Sequence, residues 1–335
     1  MARDIAVLGA GSWGTALAVH LARVGHAVRV WSIEAPIIAE MIERRANAVY
    51  LPDILLPAEV RPTTDLPEAI SGVDVVVLAI PSHAMRAVAR AMTPALRPDA
   101  IVVSVAKGLE QDTLLRMSEV LAQETGGAHP VAVLSGPSFA IEVAREMPTA
   151  VSVASADLAA AERVQAEFRG RLFRLYTTTD VVGVEIGGAL KNVIAIAAGV
   201  AEGLGLGHNA QAALITRGLA EISRLASAEG GRRDTLAGLT GLGDLILTCT
   251  GPYSRNRHVG MELARGRSLA EILAGMKMVA EGVKTADAAL ALGARRGVEL
   301  PITAQMGDLV AGRKTARAAL EDLMLRPQRI EADAG

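Results

Sequence analysis

A lysine set inside an apolar segment is the residue of this 335-residue chain best suited to chemistry. Lys191 and Asn192 stand within residues 187–196, among glycine, alanine and branched apolar side chains. Lysine is seldom buried without a reason, and the loss of water lowers its proton affinity, which would make it a usable general acid or base. The alternative is that Lys191 lies on the exposed face of an amphipathic helix, although the residues three and four positions away are not polar.

Two further segments carry groups that could act with this lysine. Asp244 stands between a glycine-rich turn and an apolar run, so it could orient Lys191 and set its protonation, or simply cap the helix that follows. Residues 254–258 read Ser-Arg-Asn-Arg-His and form a cluster of hydrogen-bond donors. Arginine presents a planar fork suited to phosphate, and a helix beginning here would add backbone N–H groups; a solvated basic turn is the other interpretation.

A glycine fingerprint near the N-terminus predicts a dinucleotide site. Residues 5–8 predict a strand, Gly9, Gly11 and Gly14 form a G-x-G-x-x-G turn, and residues 15–24 predict a helix. Gly9 would allow the tight turn, Gly11 would let the backbone approach a pyrophosphate, and Gly14 would let the helix pack close to the strand. Glu34 follows at the distance expected of the acidic residue that binds a ribose hydroxyl.

Other polar residues stand at the predicted carboxyl ends of strands, where open α/β sheets bind ligands. Lys107 could hold an anionic or carbonyl oxygen, or be a solvated loop lysine. Ser138 could be only a helix N-cap, and Gly136 only part of a turn. His83 or His258 could in principle be the acid or base of a hydroxy-acid dehydrogenase, although neither setting argues for more than a surface histidine.

The elements that would position these residues change in character along the chain. Up to about residue 180, apolar strands alternate with helices, which predicts a doubly wound, largely parallel sheet. Its further strands are predicted at 27–31, 74–80, 101–105, 131–135, 150–154 and 172–176, and its further helices at 36–47, 83–96, 113–123 and 158–168. Residues 50–67 predict a proline-broken, loop-rich excursion with at most a short edge strand. Helices alone are predicted afterwards, at 184–204, 210–228, 263–276 (broken around Gly266), 281–296, 303–312 and 316–325. We therefore expect an α/β Rossmann domain over residues 1–182 and an all-α domain over residues 183–330, with the active site between them.

The composition limits the class of protein. Apolar residues make up 51% of the chain, enough for sizeable cores, and the length favours two domains. A net charge of −2 gives no general attraction to nucleic acid or anionic membranes, and no window reaches the ~18 uninterrupted apolar residues expected of a membrane span. The single cysteine, Cys249, excludes an internal disulfide framework and fits a reducing cytoplasm, and the scattered histidines offer no metal site. We expect no nucleic-acid partner, no membrane insertion and no metal, while a homodimer is plausible.

Taken together, these motifs resemble those of the cytoplasmic NAD(P)-dependent glycerol-3-phosphate dehydrogenases. The resemblance runs along almost the whole chain, through GAGSWGTALA (9–18), IPSH (80–83), AKGLE (106–110), LSGPSFAIEV (134–143), GVEIGGALKNVIAIAAG (183–199), NAQAALITRGLAE (209–221), GLTGLGDLILTCT (238–250), SRNRHVG (254–260) and VAEGVKT (279–285). The blocks KNVIAIAAG, GDLILTCT and SRNR are far more specific than the glycine fingerprint.

The resemblance implies a reaction and a set of site residues. The reaction is the reversible reduction of dihydroxyacetone phosphate to sn-glycerol 3-phosphate by NAD(P)H, on a Rossmann domain joined to an all-helical domain like that of 6-phosphogluconate dehydrogenase. Lys191 is implied to be the catalytic acid/base. The implied substrate-binding residues are Lys107, Gly136, Ser138, Lys191, Asn192, Asp244, Thr248, Ser254, Arg255 and Asn256. The implied dinucleotide-binding residues are Gly9, Gly11, Ser12, Trp13, Gly14, Glu34, Lys107, Ala140, Arg255, Val279 and Glu281.

One departure from the family pattern bears on the cofactor. Many relatives carry a basic residue or histidine near positions 32–33, which would suit a 2′-phosphate, whereas this chain reads Ser32-Ile33-Glu34. Glu34 favours a ribose hydroxyl by charge, so the sequence leans toward NADH, although Arg44 or Arg45 could supply a cation. Two other functions stay open: a reductase of another small keto acid such as ketopantoate, and a non-catalytic dinucleotide sensor. The family's product would supply phospholipid synthesis.

Overall fold

The computed structural model of the chain describes residues 3–276 and 280–327. The chain forms two compact units. The first runs to Lys107 and resumes from Leu115 to Glu185, and the second takes Gly108–Leu114 and continues from Ile186. A short segment from the first half of the sequence therefore packs with the helices of the second unit.

The first unit is built on an eight-stranded sheet and a separate two-stranded one. In chain order the strands are β1 (Asp4–Leu8), β2 (Ala27–Trp31), β3 (Ala46–Asn47), β4 (Leu51–Leu55), β5 (Val60–Thr63), β6 (Val75–Leu78), β7 (Ile101–Ser104), β8 (Val131–Ser135), β9 (Thr149–Ser155) and β10 (Phe173–Thr178). The large sheet has the order β10-β9-β8-β7-β6-β1-β2-β5, and β3 pairs with β4 in the small one.

Helices cover both faces of the large sheet, and for this reason its strands are apolar without alternation. They are α1 (Ser12–Arg23), α2 (Ala35–Glu43), α3 (Leu66–Ile70), α4 (Met85–Met92), α5 (Met117–Glu124), α6 (Ala140–Ala144) and α7 (Leu158–Phe168). Ile5 and Val7 of β1 join the core beneath α1, whereas Ala6 and Leu8 join the core on the opposite face. The predicted Rossmann sheet is thus confirmed.

The large sheet is largely parallel, as predicted, with one antiparallel pair. Neighbours in the large sheet are parallel except β8 and β9, which are antiparallel. The chain leaves the carboxyl end of β8 and returns through the short α6 directly into β9, without the long crossover that a parallel neighbour needs.

Several predicted element ends are wrong. The helix predicted over 36–47 ends at Glu43, because Arg45 has a φ of 51° and the next two residues form β3. In the region 50–67 the short edge strand is confirmed as β5, whereas β4 was not predicted. Pro62 is tolerated in β5 because this is an edge strand, paired only with β2. The helix predicted from 113 begins only at Met117, after Leu114 takes a φ of 63°.

The second unit contains helices and no strand among its described residues. They are α8 (Val181–Gly203, which begins in the first unit), α9 (Gly207–Ala228), α10 (Arg233–Ala237), α11 (Asp244–Thr250), α12 (Arg255–Ala264), α13 (Leu269–Ala274), α14 (Glu281–Arg296), α15 (Pro301–Val310) and α16 (Ala316–Met324). The break predicted around Gly266 is confirmed, because this residue has a φ of 86° and separates α12 from α13.

The longest helix, α8, is long and apolar enough to cross a membrane by length and composition. However, 89% of its apolar window is buried inside the protein. Packing against the other helices therefore accounts for its apolar character, and for the burial of any polar residue that it carries.

Candidate active site

Lys191 lies buried in α8 and is held by two groups of α11. Its Nζ is 2.6 Å from Asp244 Oδ1 and 2.7 Å from Thr248 Oγ1. The Lys191 side chain is 7% exposed and that of Asp244 is 1% exposed. A buried ammonium group is costly without a counter-charge, so the Asp244 carboxylate stabilises the protonated form of Lys191. The pairing that the sequence left open is present in the structure.

The Thr248 hydroxyl fixes the direction of the hydrogen bonds. It donates its only proton to the backbone oxygen of Asp244, 2.6 Å away. Its oxygen must then accept from the Lys191 ammonium. Asp244 and Thr248 lie one turn apart on the same face of α11, so one short helix provides both partners. The arrangement is a positively charged proton donor with a defined orientation.

The thiol next to Lys191 and Asp244 is unreactive. Cys249 is buried, and burial raises its pKa to about 12, while the charges of Lys191 and Asp244 act in opposite directions on it. A thiol of this pKa is protonated at neutral pH and is a poor nucleophile.

A chain of amide hydrogen bonds joins three helices beside the lysine. Asn256 Nδ2 donates to Asn192 Oδ1 at 3.0 Å, and the backbone N–H of Gly282 donates to Asn256 Oδ1 at 3.0 Å. Both asparagines are buried. Each residue of this chain directly follows a residue predicted to contact substrate or cofactor, namely Lys191, Arg255 and Glu281.

The basic segment begins α12, and its two arginines differ in their partners. Ser254 caps the helix by accepting from Arg257 N at 3.2 Å. The Arg257 guanidinium donates to both carboxylate oxygens of Glu202 at 2.6 Å. The Arg255 side chain makes no hydrogen bond to residues 3–276 or 280–327. The residue is exposed, but partial burial of its guanidinium lowers the pKa of that group. The negative charge of Glu281 acts in the other direction and raises this pKa. Arg255 is thus the arginine available to an anionic ligand.

In the first unit, three predicted substrate residues meet at one carbonyl group. Lys107 Nζ donates to the Gly136 oxygen at 3.2 Å, and Ser138 Oγ donates to the same oxygen at 3.0 Å. Gly136 has a φ of 141°, and a Cβ there would lie 2.9 Å from Val151 Cα, so only glycine fits. These residues follow the neighbouring strands β7 and β8, at the sheet edge where ligands of this fold class bind.

The glycine turn has the shape that its sequence predicts. Gly9 has a φ of 114°, and a Cβ there would lie 2.4 Å from the Ala79 oxygen. A Cβ at Gly14 would lie 1.9 Å from the Gly9 oxygen, whereas one at Gly11 would meet open space. The turn is therefore closed towards the protein at two glycines and open at the third, as a cradle for a phosphate group would be.

Sequence reasoning missed the residues that brace this turn. Asn47 is buried, and its Nδ2 donates to the Ala10 oxygen at 2.8 Å and to Thr15 Oγ1 at 2.9 Å. Tyr50 accepts at its backbone oxygen from Ser12 Oγ at 2.5 Å and donates its hydroxyl to Glu34 Oε2 at 2.8 Å. Burial and, secondly, Glu34 raise the Tyr50 pKa. The sequence predicts Asn47 as the end of a helix and Tyr50 as the start of a loop-rich excursion, so it gives no signal of this role.

The remaining predicted residues are placed less informatively. Trp13 and Ala140 pack against the core beneath α1, and Glu281 is the first residue of α14. Val279 lies outside the described residues. His83 and His258 are both exposed. A cavity of about 740 Å³ between α8, α9, α15 and α16 is lined by none of the predicted site residues, so it is not the candidate site.

The chain matches known proteins along almost its whole length. The family model of the NAD-dependent glycerol-3-phosphate dehydrogenase N-terminus matches residues 4–161, and that of the C-terminus matches residues 180–321. Glycerol-3-phosphate dehydrogenase (NAD(P)+) of Koribacter versatilis is 53% identical over 331 residues, 98% of each chain. The same enzyme of Geobacter sulfurreducens is 53% identical over 333 residues, 99% of each chain. A crystal structure of glycerol-3-phosphate dehydrogenase from Coxiella burnetii superposes with a TM-score of 0.93 at 41% identity, covering 97% of this chain and 99% of that one.

Proposed function

This chain belongs to the NAD-dependent glycerol-3-phosphate dehydrogenase family, and we propose that Lys191 is its catalytic acid and Arg255 its main phosphate anchor. The chain is an oxidoreductase that interconverts dihydroxyacetone phosphate and sn-glycerol 3-phosphate with NAD(P)H. Membership of this family sets aside the keto-acid reductase and the non-catalytic sensor.

The observation that carries the proposal is the buried group of Lys191, Asp244 and Thr248. In the reducing direction the ketone oxygen gains electron density and needs a proton, and the Lys191 ammonium supplies it. Asp244 keeps Lys191 protonated beforehand and orients Nζ, and Thr248 adds a second fixed direction. In the oxidising direction the neutral amine takes the proton back from the alcohol.

Phosphate recognition is assigned to the start of α12. Arg255 offers a charged guanidinium that can bind two phosphate oxygens. It is the first residue of α12, where the free backbone N–H groups and the positive end of the helix dipole also favour an anion. Ser254, Asn192 and Asn256 complete this part of the proposed substrate site. Holding the phosphate fixes where the ketone lies, and fixed positions of reacting groups contribute strongly to rate.

In the first unit, we assign Lys107, Gly136 and Ser138 to the substrate as well. Their common hydrogen-bonded carbonyl group keeps the lysine ammonium at a defined place. Lys107 is also assigned to the cofactor site. The domain limits that we propose are residues 1–182 for dinucleotide binding and 183–330 for substrate binding and catalysis.

The glycine turn fits a dinucleotide, because the only glycine of the three with open space beside it is the one expected at the pyrophosphate. When bound, the nicotinamide group accepts or supplies the hydride. The residues proposed to hold the dinucleotide are Gly9, Gly11, Ser12, Trp13, Gly14, Glu34, Ala140, Arg255, Val279 and Glu281. Glu34, oriented by Tyr50, supports a preference for NADH, because a carboxylate repels a 2′-phosphate.

Three finer features complete the proposal. The enzyme works in the cytoplasm, acts as a homodimer, and supplies glycerol 3-phosphate to phospholipid synthesis. A buried, protonated Cys249 is compatible with a reducing compartment. Sedimentation at micromolar concentration measures the oligomer directly, and a monomer there would contradict the dimer.

The experiment that tests the function follows the oxidation of NADH and of NADPH with dihydroxyacetone phosphate, with ketopantoate as the comparison substrate. We expect turnover of the phosphorylated ketone, faster with NADH, and none of ketopantoate. Absence of turnover with both cofactors would contradict the function, and a preference for NADPH would contradict only the role given to Glu34.

A further inference from the structure

Arg257 and Glu202 form an ion pair that the proposed chemistry does not use. Arg257 Nε and Nη2 each lie 2.6 Å from a different oxygen of Glu202, the bidentate geometry of strong arginine–carboxylate pairs. The pair joins the first turn of α12 to the last turn of α8. The Arg257 side chain is 18% exposed, so the pair is partly shielded from water. Arg257 is therefore engaged within the protein, although the sequence places it in the donor cluster.

The backbones of α8 and α12 are in contact beside this pair. A Cβ at Gly199 would lie 1.9 Å from the Arg257 oxygen, and one at Gly260 would lie 2.0 Å from the Ile196 oxygen. Glycine on both helices therefore permits a closer approach than side chains would allow. This contact makes α8 the surface on which α12 is seated.

Two polar contacts fix the position of α12 along the axis of α8. Arg257 reaches Glu202 towards the carboxyl end of α8, and the preceding residue, Asn256, donates to Asn192 towards its amino end. The two anchor points on α8 are separated by about 15 Å along the helix axis at the usual rise per residue. A shift of α12 in either direction would break one contact.

We propose that the Glu202–Arg257 ion pair is a positioning device that sets the spacing between Lys191 on α8 and Arg255 on α12. The inference rests on the roles proposed above for those two residues. Dihydroxyacetone phosphate has only three atoms between its ketone oxygen and its phosphorus, so the distance between these groups is short and both residues can engage it only over a narrow range of spacings. Glu202 and Arg257 are positioning residues that select the length of the substrate and touch none of its atoms.

The test compares two molecules that need this spacing differently. Glu202→Gln removes the charge and keeps the size of the side chain. We expect KM for dihydroxyacetone phosphate to rise and kcat/KM to fall on the order of ten- to a hundredfold, the scale that misplacement by about 1 Å produces. The inhibition constant of inorganic phosphate should stay unchanged, because phosphate alone moves with Arg255 and does not have to reach Lys191.

Rescue and control variants separate positioning from general damage. Exchange of the pair, Glu202→Arg with Arg257→Glu, should recover most of the lost kcat/KM. Arg296→Gln removes a similar two-bond pair with Glu229 elsewhere in the second unit and should leave the kinetics unchanged. Should Glu202→Gln fail to fold in a thermal melt, Arg257→Lys keeps the charge, loses the fork and serves the same comparison.

An unchanged KM in the folded variant would overturn the proposal. So would an inhibition constant for phosphate that weakens by the same factor as KM, because the pair would then belong to the phosphate site itself. Lack of turnover by the unaltered protein would instead contradict the proposed function, so the two failures are distinguishable.

Discussion

At the scale of single residues, Lys191 must stay charged although it is almost out of contact with water. Two oxygen partners at 2.6 and 2.7 Å make this possible. An uncompensated buried charge would destabilise the fold, so the contacts that would prepare the proposed acid also maintain the helix packing around it. Removing the lysine therefore affects both activity and stability, and a test must separate the two.

We predict that Lys191→Met lowers kcat by about 10²–10⁴-fold, the usual contribution of a general acid. It also leaves Asp244 buried without its counter-charge, a loss of about 3–5 kcal/mol in the free energy of unfolding. Lys191→Met combined with Asp244→Asn removes that charge and should recover stability but not kcat. Lys314→Met, a substitution in a partly exposed ion-pair network, is the control that should keep full activity. Steady-state assays measure kcat, and urea unfolding measures the free energy of unfolding. Near-normal kcat in the folded double variant would refute the acid role.

At the scale of elements, the turn between β1 and α1 distinguishes two kinds of glycine. We predict that Gly14→Ala destabilises the protein by about 1–3 kcal/mol, because the new Cβ would lie 1.9 Å from a backbone oxygen. Gly11→Ala should change stability by only about 1 kcal/mol or less, since its φ of −69° suits any residue and its Cβ meets open space. It should still weaken NADH binding, measured by titration. Normal NADH affinity in Gly11→Ala would show that the pyrophosphate does not approach this glycine.

A second prediction at this scale concerns the start of α15, whose N-cap residue, Leu300, has no side-chain acceptor. Glu221 of α9 replaces it, accepting from Ile302 N at 2.5 Å and from Thr303 N at 3.2 Å. Burial raises the Glu221 pKa from 4.5 to about 7. The folded state therefore binds more protons than the unfolded state between these values, and stability falls as pH rises through this window.

The size of this effect follows from the shift. Relative to Glu221→Gln, the unaltered protein should lose about 2–3 kcal/mol of unfolding free energy between pH 5 and pH 8. Urea unfolding of both proteins at the two pH values measures it. Parallel pH dependence of the two proteins would mean that Glu221 keeps an ordinary pKa.

The same scale shows what sequence reasoning can and cannot reach. Helix α14 has its predicted bounds, Glu281–Arg296, because Gly297 stops it with a φ of 67°. Helix α7 also has its predicted bounds, since the Asp157 side chain caps it by accepting a hydrogen bond from the backbone N–H of Ala159, two residues further on. Caps and glycine stops of this kind can be recognised in the sequence, so they predict where a helix begins and ends. The antiparallel pairing of β8 with β9 depends on the path between strands and was not predicted.

The candidate site shows the same division. Residue type and apolar surroundings suggested that Lys191 and Asp244 are partners, although they are far apart in the sequence. Nothing local distinguished Arg255 from Arg257, two residues apart in one basic segment. Their contacts differ because Glu202 lies on a different helix, and only the packing of α8 against α12 brings Glu202 to Arg257 rather than to Arg255.

At the scale of the whole molecule, both tryptophans, Trp13 and Trp31, belong to the first unit, so their fluorescence reports its unfolding alone. Leu109 belongs to the second unit and is buried. We predict that Leu109→Ala destabilises the second unit by about 2–5 kcal/mol. The denaturant midpoint seen by far-ultraviolet circular dichroism should fall more than that seen by fluorescence. Leu17→Ala, in α1, should show the reverse order, and equal shifts of both probes in Leu109→Ala would contradict the assignment of its segment.

The segment Gly108–Leu114 also has a consequence for recombination between relatives. Its Gln111 side chain donates to the backbone oxygen of Lys284, far along the sequence in the same unit. A gene crossover near codon 185 would exchange the long part of the helical unit and leave this short part from the other parent. A chimera joined at this single point therefore contains a helical unit whose two parts come from different parents and need not pack together. To transfer the whole helical unit, both Gly108–Leu114 and the part from Ile186 must come from the same donor.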